Sequence, residues 1–157
     1  MRLELTRRGD YAVRAMLALA ARAPAPPTSG REIAIEMGIP VGYVPRVMGD
    51  LVSAGLVEST TGRAGGYALA RSPASISLLS VIEAAEGDSR RTTCVLRGGP
   101  CGLDGHCQVH GVFFAAQDAL LEQLREVTLG DIVRDRPAGG RRTAVGRPPS
   151  QVLIRKS

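Results

Sequence analysis

The chain has 157 residues and a formal net charge of +5, with no tryptophan, two phenylalanines and three tyrosines. That length suits one domain with an appended element, and it can bury a core without covalent staples. No run approaches the roughly 18–20 uninterrupted apolar residues of a membrane span, and the opening Met1-Arg-Leu-Glu-Leu-Thr-Arg-Arg is too charged for a secretory signal, so the expected location is the cytoplasm, where thiols stay reduced.

Residues 1–71 carry nine Arg against six acidic residues, 72–133 four against eight, and 134–157 seven basic against one acidic. The basic first part and tail are therefore the candidates for a polyanionic partner.

Thr6 is placed to cap a helix that starts near Arg7 and runs to about Ala23, ahead of Pro24-Ala-Pro26-Pro27. Ser29-Gly-Arg-Glu32 is a capping-box pattern opening a short helix, which Gly38 closes. A second helix is expected from Val41 to Ala54, with Val44, Val47, Met48, Leu51 and Val52 on its apolar face. Pro45 fits only in its first turn. Two short helices joined by a tight Gly-containing turn form a helix-turn-helix pattern.

Leu56–Ser59 and Tyr67–Ala70 read as two short strands around the tip Thr60-Thr-Gly-Arg-Ala-Gly-Gly66, which fits a wing. The competing reading is an ordinary solvated hairpin. Ser77 caps a further helix through Leu78, Val81, Ile82 and Ala85, ending at Gly87. A long amphipathic helix is expected over Val109–Val127, followed by a capped turn at 128–133. With no evident partner in its own chain, the long helix points to a homodimer; packing back on its own domain, alone or together with dimerisation, is the alternative. From Arg134 onward Gly, Pro, Arg and Ser dominate, and a disordered basic tail is expected.

All three cysteines lie in Cys94-x6-Cys101-x5-Cys107, and His110 follows three places later. Gly98, Gly99, Pro100, Gly102 and Gly105 make this a loop able to bring three sulfurs to one point. Thiolates select zinc, cuprous copper or iron–sulfur clusters. The spacing alone leaves an iron–sulfur cluster and a Cys3His zinc site about equally matched, and bare oxidisable thiols are a third reading. His106 and Asp104 rank below His110. The chain has no phosphate-binding loop, because Gly62-Arg-Ala-Gly-Gly66 lacks the Lys-Ser/Thr such a loop needs, and no nucleophile–base arrangement is suggested. No enzymatic activity is expected.

The opening Leu5-Thr-Arg-Arg-Gly-Asp-Tyr-Ala-Val-Arg14, the wing Gly62-Arg-Ala-Gly-Gly-Tyr67, the segment Ser77-Leu-Leu-Ser-Val-Ile-Glu-Ala-Ala-Glu-Gly87, the cysteine loop and the long helix after it together carry a likeness. The chain resembles the IscR/NsrR-type family of bacterial iron–sulfur winged-helix transcription regulators over about residues 1–133. The resemblance implies a mainly α fold: a winged helix-turn-helix domain (1–87), a cluster-binding loop (88–110), a dimerisation helix with a capping turn (111–133) and a basic tail (134–157). It implies a homodimeric repressor or dual regulator that reads an inverted-repeat operator in double-stranded DNA. It also implies a [4Fe-4S] or [2Fe-2S] cluster on Cys94, Cys101 and Cys107, while the spacing keeps zinc as the alternative. The fourth ligand would be His110, as in the IscR pattern, or Asp10, which in the NsrR pattern reaches over from the partner subunit. The first loop departs from the usual x5 spacing. On this reading Gly42, Tyr43 and Arg46 face the major groove, Arg63 enters the minor groove, and Arg31, Arg71 and one of Arg7 or Arg8 contact phosphates.

Overall fold

The computed structural model describes residues 4–89 and 108–135. The chain runs α1 (Arg7–Arg22), α2 (Gly30–Met37), a 3-10 turn (Val41–Tyr43), α3 (Val44–Ser53), β1 (Val57–Thr60), β2 (Gly66–Leu69), a second 3-10 turn (Pro73–Ser75), α4 (Leu78–Glu86), α5 (Gln108–Glu126) and α6 (Leu129–Arg134). The fold is mainly helical with one small hairpin, as the sequence predicts.

Local chemistry sets most of the helix ends. Thr6 Oγ1 accepts from Gly9 N, and Ser77 Oγ from Ser80 N. Ser29 and Glu32 close a reciprocal capping box at α2, and Thr128 and Asp131 another at α6. Hydrogen bonds from the capping Ser or Thr hold the Glu32 and Asp131 carboxyls below the usual carboxylate range. At Gly38 φ is +64°, a left-handed conformation that ends α2 and turns the chain toward α3.

The expected single helix over 41–54 is divided. Val41–Tyr43 forms a 3-10 turn, with Tyr43 N donating to Pro40 O at 2.9 Å, and the α-helix begins at Val44. Pro45 has no N–H to give Val41 O, so the regular α ladder cannot include that residue. The strands sit one residue away from the expected frames. They pair antiparallel with Val57 opposite Leu69 and Thr60 opposite Gly66.

The other edge of β2 meets Thr28, which exchanges two 2.9 Å backbone bonds with Tyr67. Two residues back along that edge stands Pro26, which cannot donate, so the third strand stops there. A cleft of about 600 Å³ opens beside it, lined in part by Arg22, Arg71 and Leu69.

The core gathers Met16, Ile33, Met48, Leu51, Leu56, Ile76, Val81 and Leu129, all essentially inaccessible to water. Burial of such a side chain stabilises by about 1.5–3 kcal/mol. Leu129 brings α6 into this core, and Leu129 N donates to Ile76 O. Arg134, expected at the head of the tail, is the last residue of α6, and its guanidinium donates to Gly130 O and Asp131. The rest of the expected tail lies outside the described residues.

The long helix packs on its own chain along part of its length, as the alternative to dimerisation allows. Leu121 is 5% exposed, and Val127 O accepts from Leu78 N at 2.8 Å, which ties this end to α4. Nearer its start, Val112 is 68% exposed, and Phe113, Phe114 and Leu120 also face solvent.

Candidate nucleic-acid interface and thiol loop

Arg31 lies in the first turn of α2, Gly42 and Tyr43 in the 3-10 turn, Arg46 in the first turn of α3, Arg63 at the hairpin tip and Arg71 just after β2. All six are exposed. An ideal Cβ on Gly42 would meet nothing within 4 Å, so this backbone stands open to a close approach. The Tyr43 ring meets Tyr11 of α1 edge-on, with centroids 5.5 Å apart, which fixes the ring while leaving it 47% exposed.

The described arginines fall into two groups. Arg8, Arg14, Arg22, Arg125 and Arg134 each pair with a carboxylate: Asp50, Asp10, Glu36, Glu122 and Asp131. Arg7, Arg31, Arg46, Arg63 and Arg71 have no ion-pair or hydrogen-bond partner among the described residues. The positions expected to contact DNA are thus the ones whose charge is uncompensated, which is what phosphate or base-edge recognition requires. Arg8 departs from expectation. Its Nε and Nη2 hold both oxygens of Asp50 on α3, at 2.7 and 2.5 Å, so it serves a contact between helices rather than standing free. That contact raises its pKa further above the ordinary arginine value.

Cys94, Cys101 and Cys107, with Asp104 and His106, lie outside the described residues. Both fourth-ligand candidates are described. Asp10 Oδ1 accepts from Arg14 Nε at 2.9 Å, and Arg14 Nη1 also reaches Met37 O, at 3.4 Å, at the end of α2. His110 stacks on Phe114 one turn later, with centroids 4.1 Å apart. Each candidate is part-exposed and keeps a donor atom a metal could use. Among the described residues no three His, Cys, Asp or Glu side chains gather closely enough to hold a metal. The donor set of three thiolates with an imidazole or a carboxylate suits an iron–sulfur cluster or zinc.

Two contacts escaped the sequence reading: the Arg8–Asp50 pair and the half-formed third strand at Thr28. Both join residues about forty positions apart, and no local pattern marks them. Among the described residues, no helix is long and apolar enough to cross a membrane.

A family model described as Rrf2, iron-dependent transcriptional regulator, matches residues 5–135. The HTH-type transcriptional regulator IscR of Escherichia coli is 35% identical over 133 residues, covering 85% of this chain and 82% of its own. The structure of CymR, titled the global cysteine regulator of B. subtilis, matches with a TM-score of 0.73 and 27% identity over 85% of this chain and 98% of that one. T. potens IscR matches with a TM-score of 0.69 and 29% identity, over 90% and 94%. The helix-turn-helix agrees with the description of IscR as an HTH-type regulator. The chain belongs to the Rrf2 family of transcriptional regulators, DNA-binding proteins and not enzymes.

Proposed function

We propose that this protein acts in the cytoplasm as a homodimeric repressor whose hold on an inverted-repeat operator is set by an iron–sulfur cluster on Cys94, Cys101 and Cys107. The observation that carries the DNA face is the set of uncompensated arginines at the helix-turn-helix and wing: Arg31, Arg46, Arg63 and Arg71. Arg46 and Tyr43, beside the open backbone of Gly42, read the major groove, and Arg63 enters the minor groove. Arg31 and Arg71 fix the register on phosphates. A dimer would place two such faces on half-sites about one helical turn, ~34–36 Å, apart. The exposed apolar residues near the start of α5, Phe113 and Phe114 among them, support pairing through that helix.

When bound, such a cluster supplies one iron whose ligand is weaker than a thiolate, the point at which oxygen, nitric oxide or iron loss acts first. Asp10 and His110 compete for that role. Asp10 would give up Arg14, and Arg14 is also the donor to Met37 O at the turn of the helix-turn-helix. His110 would give up its stack on Phe114 and affect α5 instead. A coupling of about 1–3 kcal/mol between loop and DNA face gives a five- to 150-fold switch.

The test is anaerobic purification with an absorption spectrum and iron, sulfide and zinc analysis. Broad visible absorption with matching iron and sulfide is expected. A colourless protein carrying stoichiometric zinc, or one carrying no metal and responding only to thiol oxidation, overturns the cluster reading in favour of a zinc-held or thiol-based regulator.

A further inference from the structure

Four helices begin with a capping hydroxyl, and at three of them a carboxylate accepts from the cap's own backbone N–H. At α2 and α6 the third helical residue is acidic, and its carboxylate returns to the cap's own backbone N–H: Glu32 to Ser29 and Asp131 to Thr128. At α1 the third residue is Gly9, which has no side chain to return. The carboxylate comes instead from Glu86, the last residue of α4, whose Oε1 accepts from Thr6 N at 2.7 Å. Gly9 is what admits it. A Cβ at that position would lie 2.2 Å from Glu86 Oε1 and 2.9 Å from Glu86 Cδ. The capping box of α1 is thus completed by a residue 80 positions away.

Glu86 is also the last helical residue before Gly87, where φ is +86°, and Cys94 follows eight residues after Glu86. On the other side of the same first turn stands Arg8, whose guanidinium takes both oxygens of Asp50. Asp50 lies four residues after Arg46 in α3, the spacing at which an Arg and an Asp on one helix pair with each other. They do not pair here, because Arg8 occupies Asp50, and Arg46 is left uncompensated.

We propose that the first turn of α1 decides whether Arg46 is available to DNA: Glu86 steadies the turn, the turn presents Arg8, and Arg8 keeps Asp50 from Arg46. Withdrawal of the Glu86 carboxylate leaves Thr6 N without its partner and loosens the turn that carries Arg8. Asp50 then passes to Arg46, and the recognition helix loses its free cation. Glu86, Arg8 and Asp50 are positioning residues in this scheme, and none of them needs to touch DNA. The inference rests on the reading of α3 as the DNA-facing helix, and the experiment separates the two.

The experiment uses the full-length protein and a duplex that the wild-type protein selects from a random-sequence library. Binding is measured at one fixed salt concentration. R46A tests the reading beneath: a loss of at least about five-fold is expected, and no loss overturns the assignment of α3. R8A is expected to weaken binding to a similar degree, and D50N in the R8A background to restore most of the loss. The gain from D50N must be clearly larger in the R8A background than in the wild type, because general relief of repulsion between Asp50 and phosphate would help both equally. E86A is expected to lose affinity in the same rescuable way. E86Q keeps an oxygen acceptor for Thr6 N and should retain wild-type affinity. Amide exchange of the first turn of α1 should rise in E86A and not in E86Q. If R46A weakens binding while D50N gives equal gains in both backgrounds, or if E86A binds as the wild type does, the switch is overturned and the α3 assignment stands.

Discussion

Gly66→Ala should be far more damaging than a glycine-to-alanine change normally is. Gly66 opens β2, and an ideal Cβ there would lie 2.5 Å from Thr28 O, 2.6 Å from Thr28 C and 3.0 Å from Ser29 N. All three are backbone atoms, so no side chain can swing away to make room. The 28–29 segment must move, and with it go the two 2.9 Å bonds between Thr28 and Tyr67. At about 0.5–1.5 kcal/mol each, these account for roughly 1–3 kcal/mol. Ser29 moves too, and it is the cap of α2. Disturbing a cap costs about 1 kcal/mol. The expected loss is about 2–4 kcal/mol, and at about 4 °C per kcal/mol for a domain of this size Tm should fall by roughly 8–16 °C. Gly49→Ala is the matched control. It lies inside α3 with nothing within 4 Å of its Cβ, and should stabilise by about 0.5–1 kcal/mol through helix propensity. Thermal and urea unfolding followed by circular dichroism measures both. A Gly66→Ala protein that melts within about 2 °C of the wild type would refute the claim that the wing is fastened to the start of the helix-turn-helix through this contact.

Arg63→Ala should show the opposite profile: Tm nearly unchanged, since Arg63 is exposed and has no partner among the described residues, with specific DNA affinity lowered by about 1–3 kcal/mol; equal losses in affinity and stability would mark a merely structural hairpin. Glu32 and Asp131 are both held below their ordinary pKa by hydrogen bonds from their caps. Their contribution is therefore complete above the usual carboxylate range of about 4 and is lost as pH falls through their lower folded values. The stability gap between wild type and E32Q, measured by thermal melts across that range, should be widest near neutrality and close in acid; a gap independent of pH refutes the assignment. Replacing Asp10 with Asn and His110 with Ala separately should shorten the lifetime of the visible absorption in air for only one of the two, and equal lifetimes would exclude both as the fourth ligand. Phe113→Ser with Phe114→Ser should lower the molecular mass seen by light scattering if α5 is the pairing surface, and an unchanged mass would place the dimer contact elsewhere.

The parts of this fold that are legible in the sequence are those whose cause is local. Thr6, Ser29 with Glu32, Ser77 and Thr128 announce four helix starts because a cap and the N–H it accepts lie three residues apart. The apolar face of α3 is equally plain, and Val47, Met48 and Leu51 are all buried. The division at Val41–Val44 was half legible. Pro45 signals a helix start, but apolar spacing alone does not mark that its missing N–H leaves Val41–Tyr43 in a tighter turn. The candidate site follows the same division. Its unpaired arginines sit where the helix-turn-helix and hairpin patterns put them.

What stays hidden is which cations are spent inside the fold. Read along the chain, Arg46 and Asp50 are a helical i,i+4 pair and Arg8 is a free residue in a basic opening. In three dimensions the assignment is reversed, because the planar guanidinium approaching from α1 holds both oxygens of Asp50 at once. A bidentate contact between elements outweighs an exposed pair along one helix, which contributes only about 0.2–0.5 kcal/mol. The clue in the sequence is therefore an omission. Gly9 stands where the other two capping boxes carry an acid, and its missing side chain leaves room for a carboxylate from elsewhere in the chain. Glu86 takes that place, and it does so as the last helical residue before the segment that carries the cysteines.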